Sequence, residues 1–227
     1  MKVIFKGQLF NLFLLYFLLA GVFQVISNFS GFLDGSYLGL STKKWLFLAV
    51  SSPILHQYYV WFCWRFQLYQ NTLTDVLGKL AFPIYKVGFA ILILSRLVLI
   101  VALAISNQDS MQMDQTLGYV IAFVLAIPAL YLFYSVKAFF GMDRAFGIDH
   151  FDPEAAKSFK MVKEGIFKYT SNGMYVYGFF VMYLPAFIWL SKAALIVAIF
   201  NHLFIWVHYY FTEKPDMEFI YGTGNEE

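Results

Sequence analysis

Long apolar stretches separated by short polar ones run through the whole chain. They occupy residues 9–26, 45–66, 80–105, 117–140, about 175–190 and about 193–212. A helix needs roughly 20 apolar residues to cross the hydrocarbon core of a bilayer. The pattern therefore predicts an all-α protein, a polytopic transmembrane bundle of about six helices with a tight helical hairpin at its C-terminal end.

The hairpin follows from the spacing of the last two stretches. Only Ser191 and Lys192 separate them, so the two helices must pack antiparallel and their outer ends must emerge on the same side. Polar residues flank both outer ends, at 168–175 and 213–221. The sequence therefore predicts one polar site at one membrane surface, assembled from two blocks of sequence.

The first stretch has a rival interpretation as a secretory signal peptide, because Lys2 and Lys6 precede it. Its apolar run is longer than the roughly 7–15 residues of a signal peptide, and no Ala-x-Ala cleavage site follows it. We therefore expect a retained first helix.

Composition supports the membrane assignment. Hydrophobic residues make up 60% of the chain and charged residues 13%, against about 45–50% and about 25% in soluble domains, and the mean hydropathy is +0.65. The net charge of +2 gives no indication of a nucleic-acid partner. A single cysteine, Cys63, excludes an internal disulfide and a metal site built from several cysteines.

The distribution of lysine and arginine predicts the orientation, because these residues are enriched in cytoplasmic loops. With six spans, one side receives Lys43, Lys44 and Lys192. The other side receives a larger set: Lys2, Lys6, Arg65, Lys79, Lys137, Arg144, Lys157, Lys160, Lys163, Lys168 and Lys214. That side is predicted to be cytoplasmic, and both termini and both polar blocks of the hairpin lie on it.

Polar residues inside the apolar stretches need protein or water as neighbours, because their exposure to lipid is costly. Pro53, His56 and Gln57 predict that the second helix is kinked and partly faces protein. Arg96, near the middle of the third helix, costs roughly 2.5–3.5 kcal/mol to insert. A lipid phosphate, backbone carbonyls or water would each serve as its partner.

The longest polar stretch covers residues 141–170. A cap, a proline at the first helical position and an acid in the first turn indicate a helix start at Asp152, Pro153 and Glu154. Gly165 indicates its end, and between them lysines recur at Lys157, Lys160 and Lys163. We expect a short amphipathic helix at the membrane interface, with lysines suited to binding anionic lipid.

A charged cluster precedes this predicted helix, and it consists of Asp143, Arg144, Asp149, His150 and Asp152. Its spacing does not match a known metal-binding motif, so we expect no metal site. We interpret the cluster as part of a loop that closes over the polar site.

The two blocks of the hairpin carry a resemblance to a known family. The first block, from Gly165 to Gly178, reads Gly-Ile-Phe-Lys-Tyr-x-x-Asn-x-Met-Tyr-x-x-Gly, and the second, from Glu213 to Gly222, reads Glu-x-x-x-Met-x-x-x-Tyr-Gly. In this order, with Asn201 between them, they resemble the membrane-embedded methyltransferases. That superfamily includes phosphatidylethanolamine N-methyltransferases, which the tail Glu-Lys-Pro-Asp-Met resembles more closely, and isoprenylcysteine carboxyl methyltransferases.

The chain departs from the family pattern in two places. The family has Arg-His-Pro where this chain has Ser171, Asn172 and Gly173, and a second glutamate where this chain has Lys214. The first departure keeps a non-catalytic membrane protein among the alternatives. The second argues against a mechanism that uses two adjacent carboxylates.

The resemblance implies an enzyme that transfers a methyl group from S-adenosyl-L-methionine to a membrane lipid, most directly to the nitrogen of an ethanolamine phospholipid. This reaction requires a positioned donor and acceptor and removal of a proton from an ammonium group, and it needs no metal. The alternatives are an isoprenylcysteine-type carboxyl or thiol methyltransferase, a nicotinamide-dependent membrane reductase and a non-catalytic membrane protein. One domain is expected to cover residues 1–227, with its cofactor-binding part at about 141–227.

The candidate site residues come mainly from the two blocks. The candidate cofactor-binding residues are Lys168, Tyr169, Asn172, Gly173, Met174, Tyr175, Gly178, Asn201, His202, Tyr209 and Glu213. Glu213 and His208 are the candidate catalytic residues, and Arg96 and Tyr221 are the candidate substrate-binding residues.

Several of these residues also suit structural roles. Gly173 and Gly178 would allow either close approach of a ligand or close packing of helices. One predicted helix face carries His202, Trp206, Tyr209 and Glu213, and its polar groups would also serve interhelical hydrogen bonds. His208 suits a general base or a packing role.

Overall fold

A computed structural model of the chain describes residues 2–28 and 32–222. The α-helices are α1 (Gln8–Ser27), α2 (Thr42–Gln70), α3 (Thr72–Leu77), α4 (Ala81–Ser106), α5 (Gln115–Ser135), α6 (Met142–Ala145), α7 (Pro153–Ala156), α8 (Gly173–Val176), α9 (Leu184–Ile188), α10 (Lys192–His208) and α11 (Lys214–Tyr221). Short 3₁₀ helices cover Gly78–Leu80, Ile148–His150, Gly165–Lys168 and Gly178–Tyr183, and π-helical turns cover Val136–Phe140 and Tyr209–Glu213. The strands β1 (Ser36–Tyr37) and β2 (Leu40–Ser41) form one short antiparallel pair. The all-α prediction is confirmed.

Each predicted span corresponds to a helical stretch. In residues 2–28 and 32–222, four stretches are long and apolar enough to cross a membrane: Gln8–Ser27, Thr72–Ser106, Gln115–Phe140 and Lys192–Tyr221. α2 is 29 residues long but carries more polar residues, and Gly173–Ile188 is a shorter apolar stretch. Large side chains such as Phe13, Val98 and Phe123 face outwards, as expected for helices surrounded by lipid.

The fifth stretch, Gly173–Ile188, is not a regular α-helix. Between α8 and α9 it forms the 3₁₀ helix Gly178–Tyr183, and Pro185 lies in the first turn of α9, where its missing N–H does least harm. A 3₁₀ helix rises about 2.0 Å per residue, against about 1.5 Å in an α-helix. The short stretch therefore covers more distance than its number of residues suggests.

The turn between the last two stretches is as tight as the sequence predicts. Leu190 has a left-handed backbone with φ of 48°, which reverses the chain within a few residues. The Ser191 hydroxyl accepts a hydrogen bond from the Ala194 N–H at 3.1 Å and so caps α10. The predicted C-terminal helical hairpin is confirmed.

Asn107, in the loop after α4, ties this turn to the rest of the bundle. Its Oδ1 accepts hydrogen bonds from Ser191 Oγ at 2.9 Å, Ala193 N at 2.9 Å and Ser110 Oγ at 2.8 Å. Its Nδ2 donates to the Phe32 carbonyl oxygen. The hairpin turn and the loops after α1 and α4 therefore lie at the same end of the bundle.

Replacement of Asn107 by alanine is expected to lower the free energy of unfolding by about 2–3 kcal/mol, because buried donors at Ser191 and Ala193 lose their acceptor. The measurement is unfolding in mixed detergent micelles, followed by circular dichroism. Gln108→Ala is the matched control, since Gln108 is the exposed neighbour and should change stability by no more than about 0.5 kcal/mol. Equal stability of the two variants would contradict the role assigned to Asn107.

The opposite end of the bundle is organised by Arg65, near the end of α2. Its Nη1 donates to the carbonyl oxygens of Val3 at 2.9 Å and Ile4 at 3.3 Å, and its Nη2 donates to that of Thr212 at 3.1 Å. The N-terminal residues, the end of α2 and the end of the sixth stretch therefore meet here. This is the arrangement expected of helices that alternate in direction.

The long polar loop departs from the prediction. Asp152 Oδ1 accepts a backbone hydrogen bond at 3.0 Å and Pro153 begins α7, so the predicted helix start is confirmed. However, α7 ends after a single turn, and residues 159–163 have no regular secondary structure. The prediction of an amphipathic helix that continues to Gly165 is wrong.

Charge and tertiary contacts explain why α7 ends early. In a longer helix, Lys157, Lys160 and Lys163 would share one face and repel each other. The Lys160 carbonyl oxygen instead accepts a hydrogen bond from Arg144 Nη1 at 2.9 Å, which competes with the bond that it would make within a helix. Residues 157–163, called the strap below, therefore run as an irregular segment over this end of the bundle.

Candidate active site

Two cavities lie next to each other around Glu213. The inner cavity lies between α2, α4, α8 and α10 and measures about 150 Å³. The outer cavity lies between the strap, the end of α5 and α11 and measures about 720 Å³. Both are at the end of the bundle where Arg65 joins the N-terminal residues to the sixth stretch.

Three helices supply most of the wall of the inner cavity. The residues are His56, Gln57, Val60 and Trp64 from α2, Phe89, Ile93 and Arg96 from α4, and Ile205, His208 and Glu213 from the sixth stretch. On α2 and α4 these positions recur at intervals of about three or four, so one face of each helix points inwards. Met174 and Tyr175 of α8 complete the wall on the side of the hairpin.

Several buried polar atoms on this wall have no hydrogen-bond partner among the described residues. They are Nδ1 and Nε2 of His56, the amide oxygen and nitrogen of Gln57, Nε of Arg96 and Nδ1 of His208. Buried polar groups in proteins nearly always have partners. A cluster of such atoms around one cavity indicates a site built for a polar ligand or for ordered water.

Tyr175 and Glu213 join the two blocks of sequence at the inner cavity. The Tyr175 hydroxyl donates a hydrogen bond to Glu213 Oε2. The Tyr175 ring packs against Trp206 and Tyr209, with ring centroids 5.7 Å and 5.2 Å apart. The hydrogen bond and the packing together fix the direction of the Glu213 carboxylate.

A π-helical turn, Tyr209–Glu213, changes which way the sixth stretch faces. A π turn contains more residues than an α turn, so residues beyond it are rotated relative to a continuous α-helix. Glu213 lines the inner cavity, Tyr209 lines the outer cavity, and His202 Nδ1 lies 3.1 Å from the Tyr183 hydroxyl. Trp206 and Tyr209 nevertheless pack against the Tyr175 ring, and Glu213 accepts the hydrogen bond from its hydroxyl, so three of the four residues predicted to share one helix face are directed at Tyr175.

Side chains from distant helices stabilise the π turn. Arg65 Nη2 donates to the carbonyl oxygens of Phe211 at 3.2 Å and Thr212 at 3.1 Å. Gln8 Nε2 also donates to the Phe211 carbonyl oxygen, at 3.2 Å. These donors satisfy carbonyl groups where the regular helical hydrogen bonds are interrupted, so the turn immediately before Glu213 is held in place.

Arg65 and Asp216 form a buried ion pair beside the site. Arg65 Nε lies 2.6 Å from Asp216 Oδ1, and the side chains are 1% and 0% exposed. Tyr69 donates to the same carboxylate at 3.1 Å, and His150 Nε2 lies 3.5 Å from its other oxygen. The pair fixes α11 against α2 and thereby positions Glu213.

The sequence interpretation missed this pair. The sequence identifies Arg65 only as one of the charges on the predicted cytoplasmic side, and Asp216 only as part of the tail motif. The available signal was that an arginine ends an otherwise apolar helix and an aspartate begins another, both on the side predicted to be cytoplasmic. That signal does not identify which charges pair.

The outer cavity is rich in cationic and aromatic side chains. The cationic ones are Arg144, Lys157, Lys160, Lys163 and Lys214, and the aromatic ones are Phe140, Phe159, Phe167, Tyr209 and Tyr221. The Arg144 guanidinium lies over the rings of Phe140 and Phe159, at 4.7 Å and 5.3 Å from their centroids. The Tyr221 hydroxyl donates to Asp149 Oδ2, which fixes Tyr221 at the wall.

Only a thin partition separates the two cavities. Ala145 lines the inner cavity and its neighbour Arg144 lines the outer one, and the same is true of Glu213 and Lys214. The rings of Tyr175 on the inner side and Tyr209 on the outer side are 5.2 Å apart. Groups bound in the two cavities would therefore lie close together at Glu213.

The structure brings together some of the sequence-predicted site residues. Arg96, Met174, Tyr175, His208 and Glu213 line the inner cavity. Tyr209 and Tyr221 line the outer cavity. The remaining candidates line neither of these cavities: Lys168, Tyr169, Asn172, Gly173, Gly178, Asn201 and His202.

Contacts show what several of the remaining candidates do. A Cβ atom at Gly178 would lie 2.9 Å from Leu132 Cδ2, so this glycine permits close packing of α5 on the fifth stretch. Asn201 Nδ2 donates to the Val197 carbonyl oxygen within its own helix, at 2.9 Å. Tyr169 is 76% exposed. Their assignment to cofactor binding stays a prediction.

Two residues of the inner cavity, His56 and Gln57, were not predicted to belong to a site. In the sequence they belong to the run Pro-x-x-His-Gln inside an apolar stretch, and this run predicts only that the helix partly faces protein. Of the predicted charged cluster, Arg144 lines the outer cavity and Asp149 accepts the Tyr221 hydrogen bond at its wall. Asp143 instead pairs with Lys86 at 2.7 Å, and Asp152 caps α7. No group of three or more His, Cys, Asp or Glu side chains in the described ranges is arranged to hold a metal ion.

One part of the chain matches a known family. Residues 117–224, just under half of the chain, match the family model of the phospholipid methyltransferases. No curated protein and no solved structure gives a significant match. The family match confirms the resemblance to the membrane-embedded methyltransferases. It includes the strap, the hairpin and Glu213, whereas α1, α2 and α4 lie outside it.

Proposed function

Because residues 117–224 of this helical protein match the family model of the phospholipid methyltransferases, we propose that it transfers a methyl group from S-adenosylmethionine to the amine of an ethanolamine phospholipid. The observation that carries the proposal is the Tyr175–Glu213 hydrogen bond at the partition between the two cavities. In this proposal the outer cavity binds the cofactor and the inner cavity binds the amine of the acceptor.

The size and lining of the cavities support this division. Binding sites for ligands of cofactor size measure roughly 300–1,000 Å³. The outer cavity falls in that range at about 720 Å³, and the inner cavity, at about 150 Å³, is too small. The rings of Tyr209 and Phe167 offer faces for an adenine ring, and the cationic side chains suit a carboxylate. Glu218 in the same wall suits the ammonium group of the cofactor, so the residues present fit both of the charged groups at its amino-acid end.

The residues at the partition would prepare the acceptor for attack. S-adenosylmethionine, when bound, supplies a methyl group activated by a sulfonium sulfur. The Glu213 carboxylate attracts the acceptor ammonium, orients it towards the partition and accepts a proton from it, so that the nitrogen lone pair becomes available. Tyr175 keeps one carboxylate oxygen in place, and the unpaired Nδ1 of His208 is the alternative base.

The proposed orientation places both cavities at the cytoplasmic surface. Most lysine and arginine residues of the loops lie at this end of the bundle. A soluble cofactor would then reach the outer cavity from the cytoplasm. The acceptor lipid would come from the bilayer.

The direct test is incubation of the purified protein with methyl-labelled S-adenosylmethionine in a mixed lipid extract, followed by separation of the lipids. We expect label in monomethylated or dimethylated ethanolamine phospholipid. Label in a carboxyl ester or a thioether would favour the other acceptor classes. Binding of a reduced nicotinamide cofactor without binding of S-adenosylmethionine would instead favour a reductase, and binding of neither would favour a non-catalytic protein.

A pair of tryptophan variants tests the location of the cofactor site. Ser171 lines the outer cavity, so Ser171→Trp should fill part of it and weaken binding of S-adenosylmethionine by about tenfold or more. Ser158 lies in the strap but does not line the cavity, so Ser158→Trp is the matched control. Equal affinity of both variants, measured by calorimetry, would contradict the assignment of the outer cavity.

A further inference from the structure

Arg96 is a buried cation without a counterion. Its side chain lies in the middle of α4 and is 2% exposed. Nη2 donates to the Pro53 carbonyl oxygen at 3.2 Å, Nε has no partner, and in the described part of the chain Arg96 forms no ion pair. The guanidinium also lies 5.6 Å from the centroid of the Phe179 ring. A buried charge without a counterion is unfavourable, so an anion in this cavity would stabilise Arg96.

The neighbours of Arg96 suit an anion that also accepts hydrogen bonds. His56 and Gln57 line the same cavity, and their side-chain nitrogens lack partners. A phosphate group has several acceptor oxygens and forms strong charge-assisted bonds with a guanidinium. The three side chains together offer a charge and neutral donors to one such group.

The order of the charges along the bundle matches that of a phospholipid headgroup. At about 1.5 Å per residue, Phe89 lies about 12 Å and Arg96 about 22 Å from the start of α4, so Arg96 is at the deep end of the cavity. Glu213 lies at the opposite end, at the partition. In a lipid of the adjacent leaflet the amine is outermost, the phosphate follows and the acyl chains are deepest.

We propose, building on the function proposed above, that the inner cavity holds the phosphoethanolamine headgroup of the acceptor, with the phosphodiester on Arg96, His56 and Gln57 and the amine at Glu213. A cavity of roughly 150 Å³ holds a molecule of the size of benzene, which is comparable to this headgroup. The anion site comes from α2 and α4, outside the family match. The N-terminal part of the chain would therefore select acceptors that carry a phosphate.

Binding measurements test the anion site without relying on catalysis. The probes are dihexanoyl phosphatidylethanolamine and 2-(hexyloxy)ethylamine, which has the amine but no phosphate, each titrated calorimetrically into detergent-solubilised full-length protein. For Arg96→Met we expect about tenfold or greater loss of affinity for the phospholipid and less than threefold change for the amine. Arg96→Lys, which keeps the charge, should be intermediate.

A matched pair of glutamine variants keeps the test decisive if Arg96→Met does not fold. Gln57→Leu removes a group that faces the cavity, whereas Gln67→Leu, on the same helix, removes a buried amide that bonds Thr74 outside it. We expect Gln57→Leu alone to weaken phospholipid binding. If Gln57→Leu and every folded Arg96 variant bind the phospholipid as wild type does, the proposal is overturned.

Further measurements distinguish the proposal from its alternatives. Inorganic phosphate at millimolar concentration should not displace the phospholipid; Arg96-dependent binding of free phosphate without phospholipid binding would overturn the lipid assignment. Arg96-dependent phospholipid binding without methyl transfer would support the anion site and contradict the proposed function. Methyl transfer to phosphatidylethanolamine that is unchanged by substitutions at both Arg96 and Gln57 would support the proposed function and contradict the anion site.

Discussion

Replacement of Glu213 by glutamine is expected to lower the rate of methyl transfer by about 100- to 1,000-fold. Glutamine has nearly the same shape and can still accept the hydrogen bond from Tyr175. It cannot carry the negative charge that attracts an ammonium group or accept its proton. The loss should therefore fall on kcat as well as on the KM for the lipid, while the affinity for S-adenosylmethionine changes little.

The measurement is the initial rate of label transfer to phosphatidylethanolamine, with circular dichroism to show that the variant is folded. Asp109→Asn is the control, because Asp109 is exposed in the loop after α4, at the opposite end of the bundle, and the substitution should leave the rate unchanged. Wild-type turnover by a folded Glu213→Gln protein would remove Glu213 from the reaction. A loss that appears only in cofactor affinity would assign Glu213 to the donor instead of the acceptor.

Replacement of Asp216 by alanine is expected to have the largest effect on stability, a loss of about 3–5 kcal/mol. The substitution leaves the Arg65 guanidinium buried without its counterion. It also removes the acceptor of the Tyr69 hydroxyl. Unfolding by sodium dodecyl sulfate in mixed micelles, followed by circular dichroism, measures the change.

A double-mutant cycle distinguishes loss of the Arg65–Asp216 ion pair from nonspecific destabilisation of the fold. The cycle compares Arg65→Met, Asp216→Leu and the double variant. We expect the double variant to lose less stability than the sum of the two single losses, because each single variant leaves one buried charge without its counterion. The exposed pair of Lys86 and Asp143 is the control, and Asp143→Ala should cost less than about 1 kcal/mol. Similar losses for Asp143→Ala and Asp216→Ala would contradict the structural role of the buried pair.

The sequence predicted the helical stretches well, and four of them in the described residues are long and apolar enough to cross a membrane. The reason is that a helix in lipid must satisfy its backbone hydrogen bonds internally and cover the membrane with apolar residues. It also predicted the hairpin, since Ser191 and Lys192 leave no room for a longer connection. The meeting of the two polar blocks follows from that geometry. The contact between Tyr175 and Glu213 is its most specific consequence.

Other features depend on tertiary contacts that leave no periodic pattern. The strap was predicted as a helix because its lysine spacing is helical, but the hydrogen bond from Arg144 to the Lys160 carbonyl favours an irregular path. The inner cavity combines Gln57 of α2 with Arg96 of α4, and sequence spacing cannot show that these residues face each other. The π turn depends on Arg65, which is far away in sequence.

The π turn at Tyr209–Glu213 also affects how this chain should be aligned with other proteins. The π turn contains one more residue than the corresponding turn of a continuous α-helix. The extra residue is accommodated within the turn, so the side chains of α10 and α11 keep their directions. Related chains that lack the extra residue should align with a single-residue gap between positions 208 and 214. An alignment without that gap would be shifted by one position here, and it could pair the functional carboxylate of a relative with Lys214 instead of Glu213.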